Sequence, residues 1–487
     1  MISFVLDGEI RTLDAFDPAQ TVLEWLREEQ GRTATKEGCA EGDCGACTVV
    51  VGELSGEKVR YRAVNACILF MPMLHGKELV TVESLGSAEN LHPVQAKLAE
   101  CDGSQCGFCT PGFVMSMFAK YQGSDPELPA APADLLAGNL CRCTGYGPIQ
   151  SAVEQLEATP ETRARFGGPE TVALLASLQE SPTTPTTCQD TVFAAERTCH
   201  VPTSEKELAR LLQEQPDATL VSGATDVGLW VTKHMKNLKA LIFLSEIDSL
   251  RTLEAMEDGL WVGAGVKYSD ARWAFAKIHP DLGELIRRIG SVQVRNNGTI
   301  GGNIANGSPI GDTMPALITL QATLVLNSAD GERRLPLEDF FIAYGKQDLR
   351  PGEYVRAVIV PPLQAGTFFR TYKISKRFDQ DISAVCAAIA VDLEGTTVTS
   401  ARIAYGGMAG TPQRATTCEA ALLSRGWTEG GVEAAMAALA QDFSPLSDMR
   451  ASADYRLKVA QNLIRKAYLE ATTGQRTRIL EGKRSYA

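Results

Sequence analysis

The sequence predicts a multidomain α+β chain that is organised around two sets of four cysteines and two later glycine-rich turns. With 487 residues, of which 44% are hydrophobic, the chain is long enough for about three domains that each build a core. Runs with the alternating period of strands are interspersed with runs of helical period, which indicates mixed α and β structure.

The composition argues against several functional classes. The net charge of −12 and the lack of a basic stripe give no reason to expect a nucleic-acid partner. The first residues, MISFVLDGEIRTLD, do not resemble a signal peptide, and no apolar run approaches the roughly 18 residues of a membrane span. With thirteen cysteines and no export signal, we expect a reducing, cytoplasmic location. The five histidines form no paired motif, so a histidine-bound catalytic metal is not predicted.

Residues 1–80 are predicted to form a small β-grasp domain around a cysteine loop. Strands are expected over 2–6, 9–13, 48–51 and 59–64, with a helix over 21–29. Cys39, Cys44 and Cys47 form a C-x4-C-x2-C run, and Cys67 stands alone after it. This is the spacing of a plant-type [2Fe-2S] ferredoxin site. A zinc ribbon is the alternative, but zinc sites favour paired C-x2-C knuckles, so the spacing favours the iron–sulfur cluster.

Residues 81–165 carry a second set of four cysteines on a helical background. Cys106 and Cys109 form a C-x2-C pair, and Cys141 and Cys143 form a C-x-C pair. Helices are predicted over 112–122 and 134–139, so that each pair lies at a helix end. On spacing alone, both a second cluster and a zinc site remain open.

The residues around this second set resemble a known domain. QCGFCTPG at 105–112 and GNLCRCTGYGPI at 138–149 are similar to the helical-bundle [2Fe-2S] domain of the molybdenum hydroxylases, the family of xanthine dehydrogenase and aldehyde oxidase. The resemblance implies that Cys106, Cys109, Cys141 and Cys143 ligate a second [2Fe-2S] cluster, and it disfavours zinc. It also places Gln105 towards a neighbouring molybdopterin, although this side chain could equally cap the local backbone.

Residues 166–190 are predicted to be a linker, because Gly167-Gly168-Pro169 opens the stretch and a proline- and threonine-rich run follows at 181–187. The segment 191–370 after it contains neither a G-x-G-x-x-G fingerprint nor a P-loop. Instead, residues 218–228 predict a strand that enters a small-residue turn, whose backbone N–H groups could bind a pyrophosphate. A second glycine-rich stretch covers 298–309, and either stretch alone could be an ordinary turn.

Taken together, the two stretches resemble the FAD-binding motifs VxGxTD and TxGGNIAxxSPxxD of flavoproteins of the vanillyl-alcohol-oxidase (PCMH) type, to which the molybdenum hydroxylases belong. The resemblance implies an α+β FAD-binding domain. Ile289 occupies the place of the aromatic residue that covers the flavin ring in animal members. The residues that would line the FAD are Gly223, Ala224, Thr225, Asp226, Ile289, Thr299, Gly301, Gly302, Asn303 and Asp312.

Residues 371–487 resemble the α+β C-terminal domain of the CO-dehydrogenase flavoprotein. The run YKISKRFDQDISAV at 372–385 is similar to the flavin-edge segment of xanthine dehydrogenase small subunits. By this match Lys373 contacts FAD, and the loop 376–381 lies near the site of NAD. A solvated charged turn is the alternative for this loop. Strands are predicted over 384–391 and 398–405, and a helix over 454–469.

The resemblance as a whole implies the small iron–sulfur/FAD subunit of a bacterial xanthine dehydrogenase. A large partner subunit would hold molybdopterin and oxidise xanthine or hypoxanthine to urate, in a dimer of heterodimers, so no catalytic residue is predicted in this chain. Electrons would pass through both clusters to FAD and then to NAD. Two alternatives stay open: a related hydroxylase acting on aldehyde or aromatic substrates, and a stand-alone iron–sulfur flavoprotein reductase. Core packing is the expectation for the remaining cysteines, Cys101, Cys188, Cys199, Cys386 and Cys418.

Overall fold

A computed structural model describes residues 1–179, 186–189 and 196–474. The chain forms two compact units. The first comprises Met1–Arg251, Gly265–Asp270 and Gly290–Gly302, and the second comprises Thr252–Ala264, Ala271–Ile289 and Asn303–Ala487. The predicted multidomain α+β class is confirmed. The predicted flavin segment contributes residues to both units, so the compact units do not coincide with the predicted domains, whose boundaries remain predictions.

The first unit contains a five-stranded sheet near the N-terminus. Its strands are β1 (Ile2–Leu6), β2 (Glu9–Leu13), β3 (Thr48–Ser55), β4 (Lys58–Asn65) and β5 (Glu78–Val80). Their order is β2-β1-β5-β3-β4, with β1 and β5 parallel, while β1 and β2 form the expected hairpin through Asp7 and Gly8, both at positive φ. Strands β3 and β4 extend beyond the predicted bounds, because they continue to a tight turn that Gly56 opens at a φ of +61°.

The helices of the chain are mostly short. One predicted helix, at 21–29, begins as an α-helix and continues as a π-helical turn over Trp25–Glu29. The α-helices are Val22–Glu24, Val82–Leu85, Pro93–Glu100, Thr110–Gln122, Pro132–Leu135, Gly147–Glu154, Pro160–Arg163, Pro169–Gln179, Glu205–Glu214, Val227–Thr232, Tyr268–Ile278, Pro280–Arg287, Val292–Arg295, Ile300–Asn306, Thr313–Thr319, Thr416–Arg425, Glu429–Asp442 and Ala453–Thr473. Within the described ranges, none of the helices combines the length and hydrophobicity of a membrane span.

Two sequence-based predictions need correction in this part of the fold. The helix expected over 134–139 is a single turn, Pro132–Leu135, because the chain leaves it to bring Gly138 and Asn139 against the first cysteine loop. The predicted linker contains a helix, Pro169–Gln179, whose Leu175 and Leu178 are buried in the same core as Val5. Periodic apolar residues at these helix positions outweigh the loop signal of the preceding glycines. Residues 180–185 and 190–195 lie outside the described residues.

A second sheet of the first unit comes from the predicted flavin segment and its preceding stretch. Its strands are β6 (Thr186–Gln189), β7 (Glu196–His200), β8 (Thr219–Val221) and β9 (Ala240–Phe243), in the order β6-β7-β9-β8. Phe243 contacts Phe70 edge to face with ring centroids 6.3 Å apart, and both belong to one hydrophobic cluster with Phe4 and Trp25. The flavin-segment strands and the N-terminal sheet therefore share a core.

The second unit contains two larger sheets and a small hairpin. Its strands are β10 (Leu253–Met256), β11 (Gly259–Gly263), β12 (Thr323–Ser328), β13 (Gly331–Pro336), β14 (Phe341–Ala343), β15 (Lys346–Gln347), β16 (Tyr354–Val360), β17 (Phe368–Ile374), β18 (Val385–Glu394), β19 (Thr397–Gly406) and β20 (Gln413–Arg414). One sheet has the order β10-β11-β16-β12-β13, and the other has β17-β18-β19-β20. The helix Ala453–Thr473 packs Leu463 and Ile464 into the core under the second sheet, as predicted for its apolar stripe.

Candidate iron–sulfur and flavin sites

The first cysteine set lies between the π-helical turn and the sheet of the first unit. Cys39 and Cys44 are half-buried in the loop before β3, while Cys47 and Cys67 are buried, Cys67 in a short 3-10 helix after β4. The loop is tight: a Cβ at Gly38 would lie 2.8 Å from Cys44 Sγ. The backbone N–H of Cys44 donates to Cys39 Sγ over 3.3 Å. The loop thus supplies both the thiols and the backbone donors that a sulfur-rich cofactor needs.

The thiols of the first set are arranged in two pairs. Cys39 is hydrogen-bonded to Cys44, which lowers the pKa of Cys39 to about 5. Cys67 is hydrogen-bonded to Cys47, which together with burial raises the pKa of Cys67 above its ordinary value. Each pair therefore consists of two sulfur atoms close enough to bind the same metal ion, each at its own ligand position.

The second cysteine set shows the same pairing with greater exposure. Cys106 Sγ lies 3.5 Å from Cys143 Sγ, and both residues are exposed. Cys109 is hydrogen-bonded to Cys141; burial, followed by this contact, raises the pKa of Cys109 to about 12. Cys109 is the N-cap residue of the helix Thr110–Gln122, and the Cys141 N–H donates to the Tyr146 hydroxyl over 2.9 Å.

Paired thiols distinguish between the two kinds of metal site that the spacing left open. A structural zinc ion needs four ligands around one centre, each at about 2.0–2.3 Å. Among the described residues, no group of three or more histidine, cysteine or carboxylate side chains converges as a single ion would require. Two pairs of thiols suit a binuclear cluster, in which each of two irons takes two cysteines. The donor chemistry at both sets therefore fits [2Fe-2S] clusters.

The two cysteine sets are connected by direct hydrogen bonds. The Leu140 N–H, next to Cys141, donates to the Cys44 carbonyl over 3.0 Å. Asn139 Nδ2 donates to the Gly45 carbonyl over 3.1 Å. A Cβ at Gly45 would lie 2.1 Å from the Gly138 carbonyl oxygen, so only glycine allows this approach. Asn139 was not singled out from the sequence, although its place two residues before Cys141 was a possible signal.

The first flavin motif is a closely packed backbone loop in the first unit. After β8 the chain passes through Gly223, and a Cβ there would lie 2.1 Å from the Asn297 carbonyl oxygen. Ala224 has a positive φ of 57°, and Asp226 accepts from Trp230 Nε1 over 3.0 Å. Since the loop is in van der Waals contact with a second backbone segment at Gly223, a side chain cannot replace glycine here.

That second segment carries Thr299, Gly301 and Gly302. Thr299 Oγ1 donates to Ser222 Oγ over 3.1 Å and accepts from the Gly302 N–H over 3.1 Å. The glycine-rich stretch is the start of the helix Ile300–Asn306 rather than a turn. A strand-to-helix loop beside close-packed glycines fits the backbone recognition of a phosphate-containing cofactor.

The remaining predicted flavin residues belong to the second unit. Lys373 Nζ lies 2.6 Å from Asp312 Oδ2, and both side chains are buried. Ser383 Oγ donates to Asp312 Oδ1 over 2.6 Å and accepts from Lys373 Nζ over 2.9 Å. Asn303 Oδ1 accepts from Thr313 Oγ1 over 2.9 Å. Ile289 is half-buried. Ser383 was missed as a partner of Asp312 because seventy-one residues separate them in sequence.

One helix links the first flavin motif to the first cysteine loop. Val227–Thr232 follows the motif directly, and Thr232 Oγ1 donates to the Ala40 carbonyl over 2.7 Å. Ala40 has a positive φ of 53°, so this hydrogen bond holds a left-handed residue in the loop. A Cβ at Gly228 would lie 2.8 Å from Ile68 Cβ, next to Cys67. The structure thus brings flavin-motif and cysteine-loop residues into contact.

Four protein-family models match nearly the whole chain. A 2Fe-2S iron–sulfur cluster binding domain matches residues 4–71, and a [2Fe-2S] binding domain matches 81–154. The FAD binding domain in molybdopterin dehydrogenase matches 192–363, and the CO dehydrogenase flavoprotein C-terminal domain matches 370–471. Two [2Fe-2S] domains and one FAD-binding domain therefore follow one another along the chain.

Individual proteins show the same similarity. Xanthine dehydrogenase of Emericella nidulans is 31% identical over 91% of this chain and 36% of its own length. Aldehyde oxidase 2 of Cavia porcellus is 31% identical over 88% of this chain. The chain thus spans about a third of the length of these relatives. Among solved structures, a chain of carbon monoxide dehydrogenase from Hydrogenophaga pseudoflava is 30% identical with a TM-score of 0.54, covering 57% of this chain and 96% of that one.

Proposed function

This chain belongs to the molybdenum hydroxylase family, whose iron–sulfur and FAD domains it carries, and we propose that it is the electron-transfer subunit of a xanthine dehydrogenase. It would receive electrons from a molybdopterin site on a partner subunit that oxidises xanthine or hypoxanthine to urate. It would pass them to NAD. The partner is proposed because the chain spans about a third of the length of its xanthine dehydrogenase relatives, and because the Hydrogenophaga carbon monoxide dehydrogenase is described as lacking the Mo-pyranopterin moiety of a molybdenum cofactor, the group that a partner would hold here.

A single observation carries the proposal: within one unit, a backbone hydrogen bond joins the segments that carry the two sets of paired thiols, and the first cysteine loop contacts the helix after the first flavin motif. When bound, [2Fe-2S] clusters carry single electrons, and flavin exchanges these for the two-electron hydride that NAD accepts. Cys39 with Cys44 and Cys47 with Cys67 would hold one cluster. Cys106 with Cys143 and Cys109 with Cys141 would hold the other. The Leu140 N–H to Cys44 carbonyl bond provides a short connection between them.

In the first unit, the chain would bind the phosphates of the flavin through backbone N–H groups. Gly223 and Gly302 allow the two glycine-rich stretches to pack closely, which would bring backbone N–H groups of the loops together. Asp312 would orient a ribose hydroxyl, and Lys373 with Ser383 would hold this carboxylate in place. Lys373 is buried, so its charge needs the Asp312 partner.

The proposal that NAD binds to this chain depends on the loop 376–381 of the second unit. Arg288 holds this loop: its guanidinium lies 4.4 Å from the Phe378 ring centroid and donates to the Lys373 and Phe378 carbonyls. Lys376 donates to the Met449 carbonyl over 2.7 Å. The loop has two cations, Lys376 and Arg377, and with Arg288 and the partly exposed ring of Phe378 beside them it supports binding of an anionic, ring-containing co-substrate.

The free thiols support a reducing, cytoplasmic setting for this function. Among the cysteines whose side chains are described, Cys386 and Cys418 are buried free thiols, as are Cys47 and Cys67 of the first set. Disulfides are rare in reducing compartments, and ligand thiols must stay reduced to hold iron.

The test is a cofactor inventory on the chain purified with whatever copurifies, together with turnover. We expect about four irons and one FAD per chain, molybdenum on a second polypeptide, and NADH produced from xanthine. Turnover of an aldehyde but not of xanthine would favour the related hydroxylase that the Cavia aldehyde oxidase suggests. Iron and FAD with NADH-dependent dye reduction, but no molybdenum partner, would favour a stand-alone reductase. Zinc in place of the second pair of irons would overturn the assignment of the second cysteine set.

A further inference from the structure

Gln293 is a buried polar residue at the centre of the first unit, and the proposed function gives it no role. It lies in the helix Val292–Arg295, between the place of the flavin-covering residue and Thr299. Its side chain is 1% exposed. The segment Gly290–Gly302 that carries Gln293 belongs to the first unit. The chain therefore returns to the first unit after Ala271–Ile289, which belong to the second unit.

Gln293 contacts residues from three segments that flank the cysteines. Its Nε2 lies 3.1 Å from Thr48 Oγ1, one residue after Cys47. It lies 3.3 Å from Ser116 Oγ, in the helix that follows Cys109, and 3.1 Å from Asn139 Oδ1, two residues before Cys141. One amide group thus bridges both cysteine sets.

The surrounding hydrogen bonds fix which end of the amide faces the cysteine sets. The Thr48 hydroxyl donates to the Gly45 carbonyl over 2.6 Å, and the Ser116 hydroxyl donates to Asn139 Oδ1 over 2.7 Å. Both hydroxyl oxygens therefore accept from Gln293, and Asn139 Oδ1 is also an acceptor. A flipped amide would direct its oxygen at three acceptors, so the donor must point inward.

The other end of the amide is stabilised less well. Gln293 Oε1 is buried without a hydrogen-bond partner, and a Cβ at Gly138 would lie 1.8 Å from it. An apolar side chain of the same length would avoid this cost. A glutamine present despite such a cost indicates that the donation of its two N–H groups to these three acceptors has a function.

We propose that Gln293 is a positioning residue that fixes the spacing between the two cysteine sets and ties this spacing to the flavin segment. It binds the same Asn139 whose Nδ2 holds the Gly45 carbonyl, next to the Leu140 N–H that donates to Cys44. Without the bridge, Asn139 and Thr48 keep only their direct hydrogen bond of 3.2 Å and their hydrogen bonds to the Gly45 carbonyl, and Ser116 and the flavin segment are no longer tied to Thr48. The inference rests on the proposed function, since the spacing matters only if both sets hold clusters.

The test compares Gln293→Met with Asn296→Ala in the complex as purified. Methionine keeps the length and removes all three hydrogen bonds. Asn296 lies on the same segment, but donates to the Ala63 carbonyl and accepts from Ser269, away from the junction. In Gln293→Met we expect a loss of the magnetic interaction between the two reduced clusters by electron paramagnetic resonance, at unchanged iron content. We also expect hydrogen exchange at the Leu140 amide to become about tenfold faster. Asn296→Ala should leave both unchanged.

Three outcomes would overturn the positioning role. These are a wild-type cluster interaction and Leu140 exchange rate in Gln293→Met, equal changes in Asn296→Ala, or changes accompanied by iron loss. If Gln293→Met does not fold, Ser116→Ala removes one acceptor of the bridge and should show a smaller shift in the same direction. No shift there would also reject the role. Wild-type protein with fewer than about four irons per chain would instead reject the proposed function.

Discussion

The two cysteine sets use the same pairing of thiols, but the most buried pair of the first set and the most exposed pair of the second have opposite surroundings. Cys47 and Cys67 of the first set are each 2% exposed within the core that also contains Phe4 and Trp25, whereas Cys106 and Cys143 of the second set are exposed. Burial beside backbone donors screens the first set from water, so it suits an internal relay. The exposed second set is where an external donor could approach. The contrast suits the first set to stability and insulation and, under the proposed function, the second to exchange with a partner.

The largest effect that tests this contrast is expected from removing one ligand of each set. Cys67→Ala should lower the iron content from about four to about two per chain and destabilise the fold by several kcal/mol, because it opens the shared core as well as a cluster. Cys143→Ala should lower the iron content by the same amount, but this variant should retain most of the stability of the wild-type fold. Iron analysis with thermal denaturation measures both. Cys199→Ala, in the same core as Cys67, should retain all the iron. Equal stability losses at Cys67 and Cys143 would remove the distinction.

The next largest effect concerns the close approach between the sets. Gly45→Ala should cost about 3 kcal/mol or more, because φ is +70° and the added Cβ would meet the Gly138 carbonyl. Gly56 has a similar φ of +61° but open space around it. Gly56→Ala should therefore cost only about 1 kcal/mol. Urea denaturation gives both values, and similar costs would show that the approach of the two sets is not tight.

A smaller effect on stability is expected from the carboxyl group of Glu127, which lies in the predicted helical domain. Burial, the largest influence, raises the pKa of Glu127 to about 7 from its ordinary 4.5. The folded protein then binds a proton that the unfolded chain has lost, so stability falls as pH rises from about 4.5 to 7. With allowance for partial exposure, Glu127→Gln should be more stable than wild type by about 1–2 kcal/mol at pH 8 and equal at pH 4. The exposed Glu28→Gln serves as control. A gain that does not vary with pH would argue against this titration.

The smallest effect is a difference in the rate of iron loss. A ferrous chelator added to the reduced protein should remove iron from the second set about fivefold faster than from the first, because exposed ligands open locally more often. Distinct resonances of the two clusters would report the order. Simultaneous loss would mean that exposure of Cys106 and Cys143 does not govern access.

Residues adjacent in sequence were largely predictable, because the chemistry of their spacing is local. The C-x4-C-x2-C run, the β1–β2 hairpin and the long C-terminal helix each depend on residues within a few turns of one another. The family matches bear out the two iron–sulfur domains and the flavin domain that these motifs indicated. The individual ligand assignments remain predictions.

Residues that work through distant contacts could not be found in this way. Ser383 pairs with Asp312 and Gln293 with Thr48, and nothing in the local sequence marks a serine or glutamine as a partner across such a separation. The helix Pro169–Gln179 was concealed by glycines before it and prolines after it. Its burial against β1 is a tertiary effect that composition does not reveal.

The return of later segments to the first unit affects how the protein is made. Lys267 pairs with Glu53 over 2.9 Å, and Asn296 donates to the Ala63 carbonyl, so contacts across more than two hundred residues complete the iron–sulfur half. On the ribosome, both cysteine loops emerge long before these partners do, and the nascent loops stay incompletely packed until residue 302 has been synthesised. The surroundings of both cysteine loops are therefore complete only after the flavin segment has been synthesised and has folded.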